Sequence, residues 1–119
     1  MRFMMLVKGD EKTMGPPSPE LMAAIDNLTQ EISRKGGALL DTGGLLPSAM
    51  GAKVRVSRGK LKVTDGPFIE AKELIGGYAI MQFGSKQEAL EQGQRFMQLH
   101  IDVMGPSYEG ELEIRQLAG

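Results

Sequence analysis

The sequence has no cysteine and no tryptophan among its 119 residues. The lack of cysteine removes thiol nucleophiles, disulfides, thiolate zinc sites and iron–sulfur clusters together. Histidine occurs once, at His100, and one imidazole cannot build a histidine-rich zinc site without carboxylates. No metal or organic cofactor is expected. Neither sign of charge dominates: 14 Lys and Arg stand against 15 Asp and Glu, for a formal net charge of -1. A general nucleic-acid surface needs clustered basic charge, so no nucleic-acid partner is expected. The N-terminal apolar run, Phe3 to Val7, stops after five residues. That is too short for a signal-peptide core or a membrane span, so no membrane partner is expected and a cytoplasmic location is the default. The initiating methionine lies directly before strand-like residues, which reads as a native terminus without a leader.

What is present fits one domain spanning residues 1–119, because a chain of this length seldom supports two cores. Hydrophobic residues make up 41% and charged residues 24%, a globular rather than a disordered composition. Sixteen glycines imply many turns and close backbone approaches, and nine methionines imply an adaptable core or interface.

Residues Arg2 to Lys8 read as a strand with Phe3, Met5 and Val7 on one face and Met4 and Leu6 on the other. Ser18-Pro19-Glu20 has the order of an N-cap, a first-turn proline and a first-turn acid. Leu21, Ile25, Leu28 and Ile32 then form one helical stripe, and Gly36 follows as a stop. Gly37 to Leu40 reads as a short strand, followed by a glycine-rich connection through Gly51. Lys53 to Thr64 reads as a hairpin turning at Arg58-Gly59, with Arg55 facing Lys62 and Lys53 facing Thr64. Leu74 to Phe83 is a further strand. Ser85 and Glu88 make a capping box for a second helix, whose stripe of Ala89, Gly93 and Phe96 is widened by Leu90 and Met97. That helix is expected to fade between Leu99 and Met104, and Glu111 to Leu117 closes the chain as a strand.

The predicted fold class is α+β: a ferredoxin-like split βαβ arrangement with an inserted β-hairpin. Two helices cover one sheet face only. The apolar side chains on the other predict a homodimer packed through its sheet faces, of the dimeric α/β-barrel type.

Asp65-Gly66-Pro67-Phe68, followed by Glu70, Lys72, Glu73 and Gly76-Gly77-Tyr78, resembles the signature of the DGPF family within the YCII-related superfamily. The opening strand, the Ser18-Pro19-Glu20 helix start, Val54-Arg55-Val56, the Ser85 to Ala89 helix start and Glu113-Ile114-Arg115 fit as well. The resemblance implies a ferredoxin-like fold that dimerises through its sheets, in small enzymes or ligand binders with no reaction common to the group. The YCII branch carries a proposed His–Asp acid–base pair, and this chain lacks a clear counterpart of that histidine context.

Asp65 is the leading candidate acid or base, on a turn made rigid by Pro67. Its carboxylate is expected to accept hydrogen bonds from that turn. His100 is the second catalytic candidate; a helix C-terminal histidine favoured by the dipole is the plainer reading. Arg55, Glu70 and Lys72 are candidate substrate-binding residues for a small anionic molecule, and each also reads as ordinary solvated charge. Asp41-Thr42-Gly43-Gly44 fits neither a Walker A loop nor a dinucleotide fingerprint, and no Gly-x-Ser-x-Gly elbow occurs. The leading function is a small-molecule enzyme using carboxylate acid–base chemistry in a cavity beside the sheet. A noncatalytic ligand-binding or sensing module and a protein-interaction accessory subunit are the alternatives.

Overall fold

The computed structural model describes residues 1–13, 15–68 and 74–119. Its elements are β1 (Arg2–Gly9), α1 (Pro19–Arg34), β2 (Ala38–Gly44), a 3-10 turn at Ser48–Met50, β3 (Ala52–Ser57), β4 (Lys60–Asp65), β5 (Leu74–Gln82), α2 (Lys86–Met104) and β6 (Glu111–Gln116). Four strands form one sheet in the order β2-β5-β1-β6, with every neighbouring pair antiparallel. β3 and β4 form a separate two-stranded sheet, the arm. The class is α+β.

Local chemistry sets the helix ends. Ser18 Oγ accepts the Leu21 N–H at 3.2 Å, and Pro19 occupies the first turn, where its missing donor costs nothing. Gly36, at φ 94°, takes the left-handed conformation that ends α1. Ser85 Oγ accepts the Glu88 N–H at 3.1 Å, while the Glu88 carboxylate reaches back to the Gly84 N–H at 3.0 Å. α2 runs to Met104, the far end of the span where its end is expected; its last turns bury His100 and the stop falls at Gly105, φ 97°. Its inward stripe is Ala89, Gly93 and His100. Leu90, expected to widen that stripe, is exposed instead.

Both helices lie over the face of the sheet that carries Phe3 and Met5. These join Leu28, Ile32, Met81, Phe83 and Ala89 in the core. Gly93 lets α2 approach β6 closely: a Cβ there would sit 2.8 Å from Ile114 Cδ1 and 3.1 Å from Leu112 Cδ2. Arg95 of α2 also donates to the Glu31 carboxylate of α1. The register changes from Val7↔Gly77 to Lys8↔Ile75 and leaves Gly76 as the extra residue of a bulge. The Gly76 carbonyl, turned outward, accepts the Leu45 N–H at 2.9 Å.

β2 is longer than the sequence pattern predicts. Asp41 to Gly44 continue the strand, paired with Gly77 to Ile80, where the composition predicts a connection. The reason lies on β5. The Tyr78 ring lies over Gly43, where a Cβ would come within 3.0 Å of it, and the Tyr78 carbonyl accepts the Thr42 hydroxyl at 2.9 Å. The other sheet face carries half-buried Met4, Leu6, Tyr78 and Ile80, side by side in the register Met4↔Ile80 and Leu6↔Tyr78.

In the arm, Lys53 pairs with Thr64, Val54 with Val63, Arg55 with Lys62, and Val56 with Leu61, the expected register. Arg58 (φ 52°) and Gly59 (φ 75°) form the left-handed two-residue turn that suits the twist of the flanking strands. All twelve strand residues of the arm are exposed.

Candidate functional site

Between the helix-covered sheet face and the two helices runs a wide trough. It is lined by the end of β1, the first half of α1, the start of β5 and the last turns of α2. Its floor is apolar, with Val7, Ile25, Ala79, Phe96 and Leu112 among the lining residues.

His100 lines this trough and is only 6% exposed. The helix turn that carries it also supplies its partner: Nδ1 lies 2.9 Å from the Phe96 carbonyl oxygen. A carbonyl only accepts, so Nδ1 carries the hydrogen, and in the neutral ring Nε2 is the basic nitrogen. Among the described residues no protein group is hydrogen-bonded to Nε2. Phe96 packs edge-on against the imidazole at 4.8 Å, and Tyr108 lies on its other flank at 5.1 Å. Burial raises the pKa of the Tyr108 phenol, which keeps it a proton donor. Gly110 makes room for that phenol, since a Cβ there would overlap the Tyr108 oxygen. Asp102 accepts from Gln98 at 3.0 Å on the exposed side of α2, so it does not pair with His100.

The trough rim is acidic. Asp10, Glu11, Glu20, Asp26, Glu109 and Glu111 line it, and Lys8 is the one Lys or Arg among the described lining residues. Lys8 is itself paired, 3.1 Å from Glu113 and 3.7 Å from Glu111.

Asp65 is exposed at the end of β4 and is not among the residues lining the trough. The expectation that its carboxylate caps the following turn is not met, and the amides explain why. The Gly66 N–H goes to the Gly51 carbonyl at 2.9 Å, Pro67 has none, and the Phe68 N–H goes to Ser48 Oγ at 3.2 Å. Arg55 is also exposed, opposite Lys62 on the arm and away from the trough lining. Glu70, Lys72 and Glu73 lie outside the described residues. The structure therefore does not bring Asp65, Arg55 and His100 of one chain together.

The Asp-Gly-Pro-Phe segment instead anchors the arm's root. Gly66 passes so close to the 3-10 turn that a Cβ would overlap the Ser48 carbonyl. Ser48, buried, is the residue the sequence pattern did not reveal. Its N–H and its hydroxyl both donate to the Glu11 carboxylate, each at 2.7 Å, while its oxygen accepts from Phe68. Lys53 sits over the Phe68 ring at 4.3 Å. This fastening joins the loop after β1 to both strands of the arm. Among the described residues no group of three or more His, Asp and Glu side chains is arranged to hold a metal ion. No helix of the described residues is long and apolar enough to cross a membrane.

Comparison with known proteins gives two findings. The sequence profile of the YCII-related domain matches residues 1–99. An uncharacterised protein of Rhizobium meliloti (strain 1021) is 30% identical over 121 residues, an alignment that covers 99% of this chain and 93% of the relative. His100 and Tyr108 follow the span matched by the profile.

Proposed function

The chain belongs to the YCII-related domain family, and on that premise we propose that it is a small-molecule enzyme using acid–base chemistry in the trough, with His100 as the group that moves the proton. One observation carries this reading. His100 is buried in the trough wall, oriented through Nδ1 by a backbone carbonyl, and left with an uncommitted Nε2 among apolar and phenolic neighbours. A fixed imidazole with one free nitrogen is the usual form of a general base near neutral pH. Tyr108, kept protonated by burial, is its natural acid counterpart.

The Asp65-Gly66-Pro67-Phe68 segment supports membership of the DGPF subfamily. The strand order β2-β5-β1-β6, with both helices on one face, supports the ferredoxin-like class. The half-buried Met4, Leu6, Tyr78 and Ile80 support a homodimer in which two sheets pack face to face. A cytoplasmic location fits this reading. Asp65 and Arg55 enter the chemistry only if a second copy brings its arm to the trough.

A thermal-shift screen of small metabolites on the wild type and on His100→Asn tests the chemistry, because a ligand of the folded state raises its melting temperature by mass action. The Asn side chain retains a donor for the Phe96 carbonyl. The expected result is a metabolite that stabilises both proteins and is converted by the wild type alone. Conversion at equal rates by both removes His100 from the mechanism. Tight binding without conversion by either makes the protein a noncatalytic ligand-binding module.

A further inference from the structure

The arm exposes two faces of different chemistry. Val54, Val56, Leu61 and Val63 lie on one face, and each is 64–73% exposed. Lys53, Arg55, Lys60 and Lys62 lie on the other, with Arg58 at the tip. Residues 52–65 thus hold five cations against one carboxylate, Asp65. An isolated two-stranded hairpin is at best marginally stable in water, so four bare aliphatic side chains on one call for a cover. The described residues do not supply that cover, because every strand residue of the arm is exposed. The arm also stretches the molecule: its radius of gyration is 16.0 Å, against roughly 13–14 Å for a compact domain of this length.

The trough has the opposite deficit. Its volume is about 2180 Å³, whereas small-molecule sites run to roughly 300–1,000 Å³, so one metabolite cannot fill it. Its floor is apolar, and among the described lining residues its rim carries six carboxylates against one lysine that is already paired. Apolar floor and acidic rim match the apolar face and basic character of the arm.

We propose that the arm of one copy lies in the trough of a second copy, the two chains exchanging arms about a two-fold axis. The aliphatic face meets the trough's apolar lining, and the arm's cations meet the rim carboxylates, among them Glu20, Asp26 and Glu109. Each strand of the arm reaches about 20 Å, long enough to lie along the first half of α1. Such an exchange is isologous and closes on itself. It places the partner subunit's arm along the trough that holds His100. The docking is argued from surface chemistry and stands apart from the catalytic reading of His100.

Thiol cross-linking tests it, since a chain without cysteine gives a clean background. V56C protein is mixed with M22C protein, Met22 being an exposed residue of the trough lining, and the mixture is mildly oxidised. The proposal expects the mixed V56C–M22C dimer to dominate. Predominance of V56C joined to itself would place arm against arm and overturn it. Charge reversal gives a second readout by sedimentation. K60E/K62E is expected to weaken self-association about tenfold or more, and adding E20K/D26K to the same chain to restore it. Unchanged association in K60E/K62E, or no restoration in the fourfold variant, overturns the proposal. Because the arm residues are exposed, thermal melts of these variants should match the wild type at low protein concentration. Met4→Glu, on the outer sheet face, separates the two interfaces: a loss of association there with K60E/K62E unaffected supports sheet packing and rejects arm exchange.

Discussion

β1 and β3 carry the same alternation with different results. In β1, Phe3 and Met5 point to one face and are closed over by two helices; in β3, Val54 and Val56 point to one face and find no cover among the described residues. Both strands have an antiparallel partner in good register. The difference is the second layer. Alternation decides which side chains share a face, and a cover decides whether that face contributes to stability. The main sheet recruits its cover from its own chain, through α1 and α2. The described residues give the arm none, so its aliphatic face adds little to the folding of its own chain.

The contrast is tested most severely by one truncation in each region. Phe3→Ala should cost roughly 3–5 kcal/mol, the usual range for emptying a fully buried aromatic site. Val56→Ala should cost less than about 0.5 kcal/mol when urea unfolding is followed at concentrations where the chain is monomeric. Comparable losses at the two sites would mean that the arm is covered within its own chain.

The root of the arm should fall between these extremes. Gly66→Ala places a methyl group against the Ser48 carbonyl, which is backbone and cannot swing aside. A cost of about 1–3 kcal/mol is expected. Ser48→Ala leaves one Glu11 oxygen and the Phe68 N–H without their partner and should cost about 1–2 kcal/mol. Faster proteolysis near Gly66 in both variants, with the main sheet still protected, would place the effect at the root. Unfolding of the whole chain at the same rate would show that arm and body are one cooperative unit.

The smallest effect concerns the two helices. The hydrogen bond from Arg95, aided by its charge, holds the Glu31 carboxyl below the ordinary carboxylate range. A carboxyl with a lowered folded-state pKa contributes stability above its unfolded pKa and loses it as the pH falls through the folded value. The melting temperature of the wild type should therefore fall slightly more than that of Arg95→Ala as the pH drops from neutral into the acid range. Parallel curves would show that this exposed pair contributes nothing measurable.

Features that depend on near neighbours were legible in the sequence. Ser18 and Ser85 bond amides three residues on, and the arm's register follows from its own alternation about Arg58-Gly59. Features that depend on distant partners were not. The extension of β2 to Gly44 needs Tyr78, and the anchoring role of Ser48 needs Glu11, 37 residues earlier. Asp65 drew attention through its motif, yet Pro67 offers it no amide and Ser48 holds the turn in its place. His100 left a usable trace: it continues the Ala89–Gly93–Phe96 stripe at helical spacing, which pointed to the inner face of α2 rather than to a solvent-facing C-terminus.

The two outer strands of the main sheet are poor templates for further strands. β2 loses its register at Leu40, between Leu39 and Asp41. β6, at the other margin, carries Glu111, Glu113 and Arg115 at alternate positions, and charges on an edge strand disfavour a like neighbour. Sideways growth of the sheet, the route toward fibrils, is therefore discouraged at both margins. A concentrated solution should hold assemblies of finite size and stay clear.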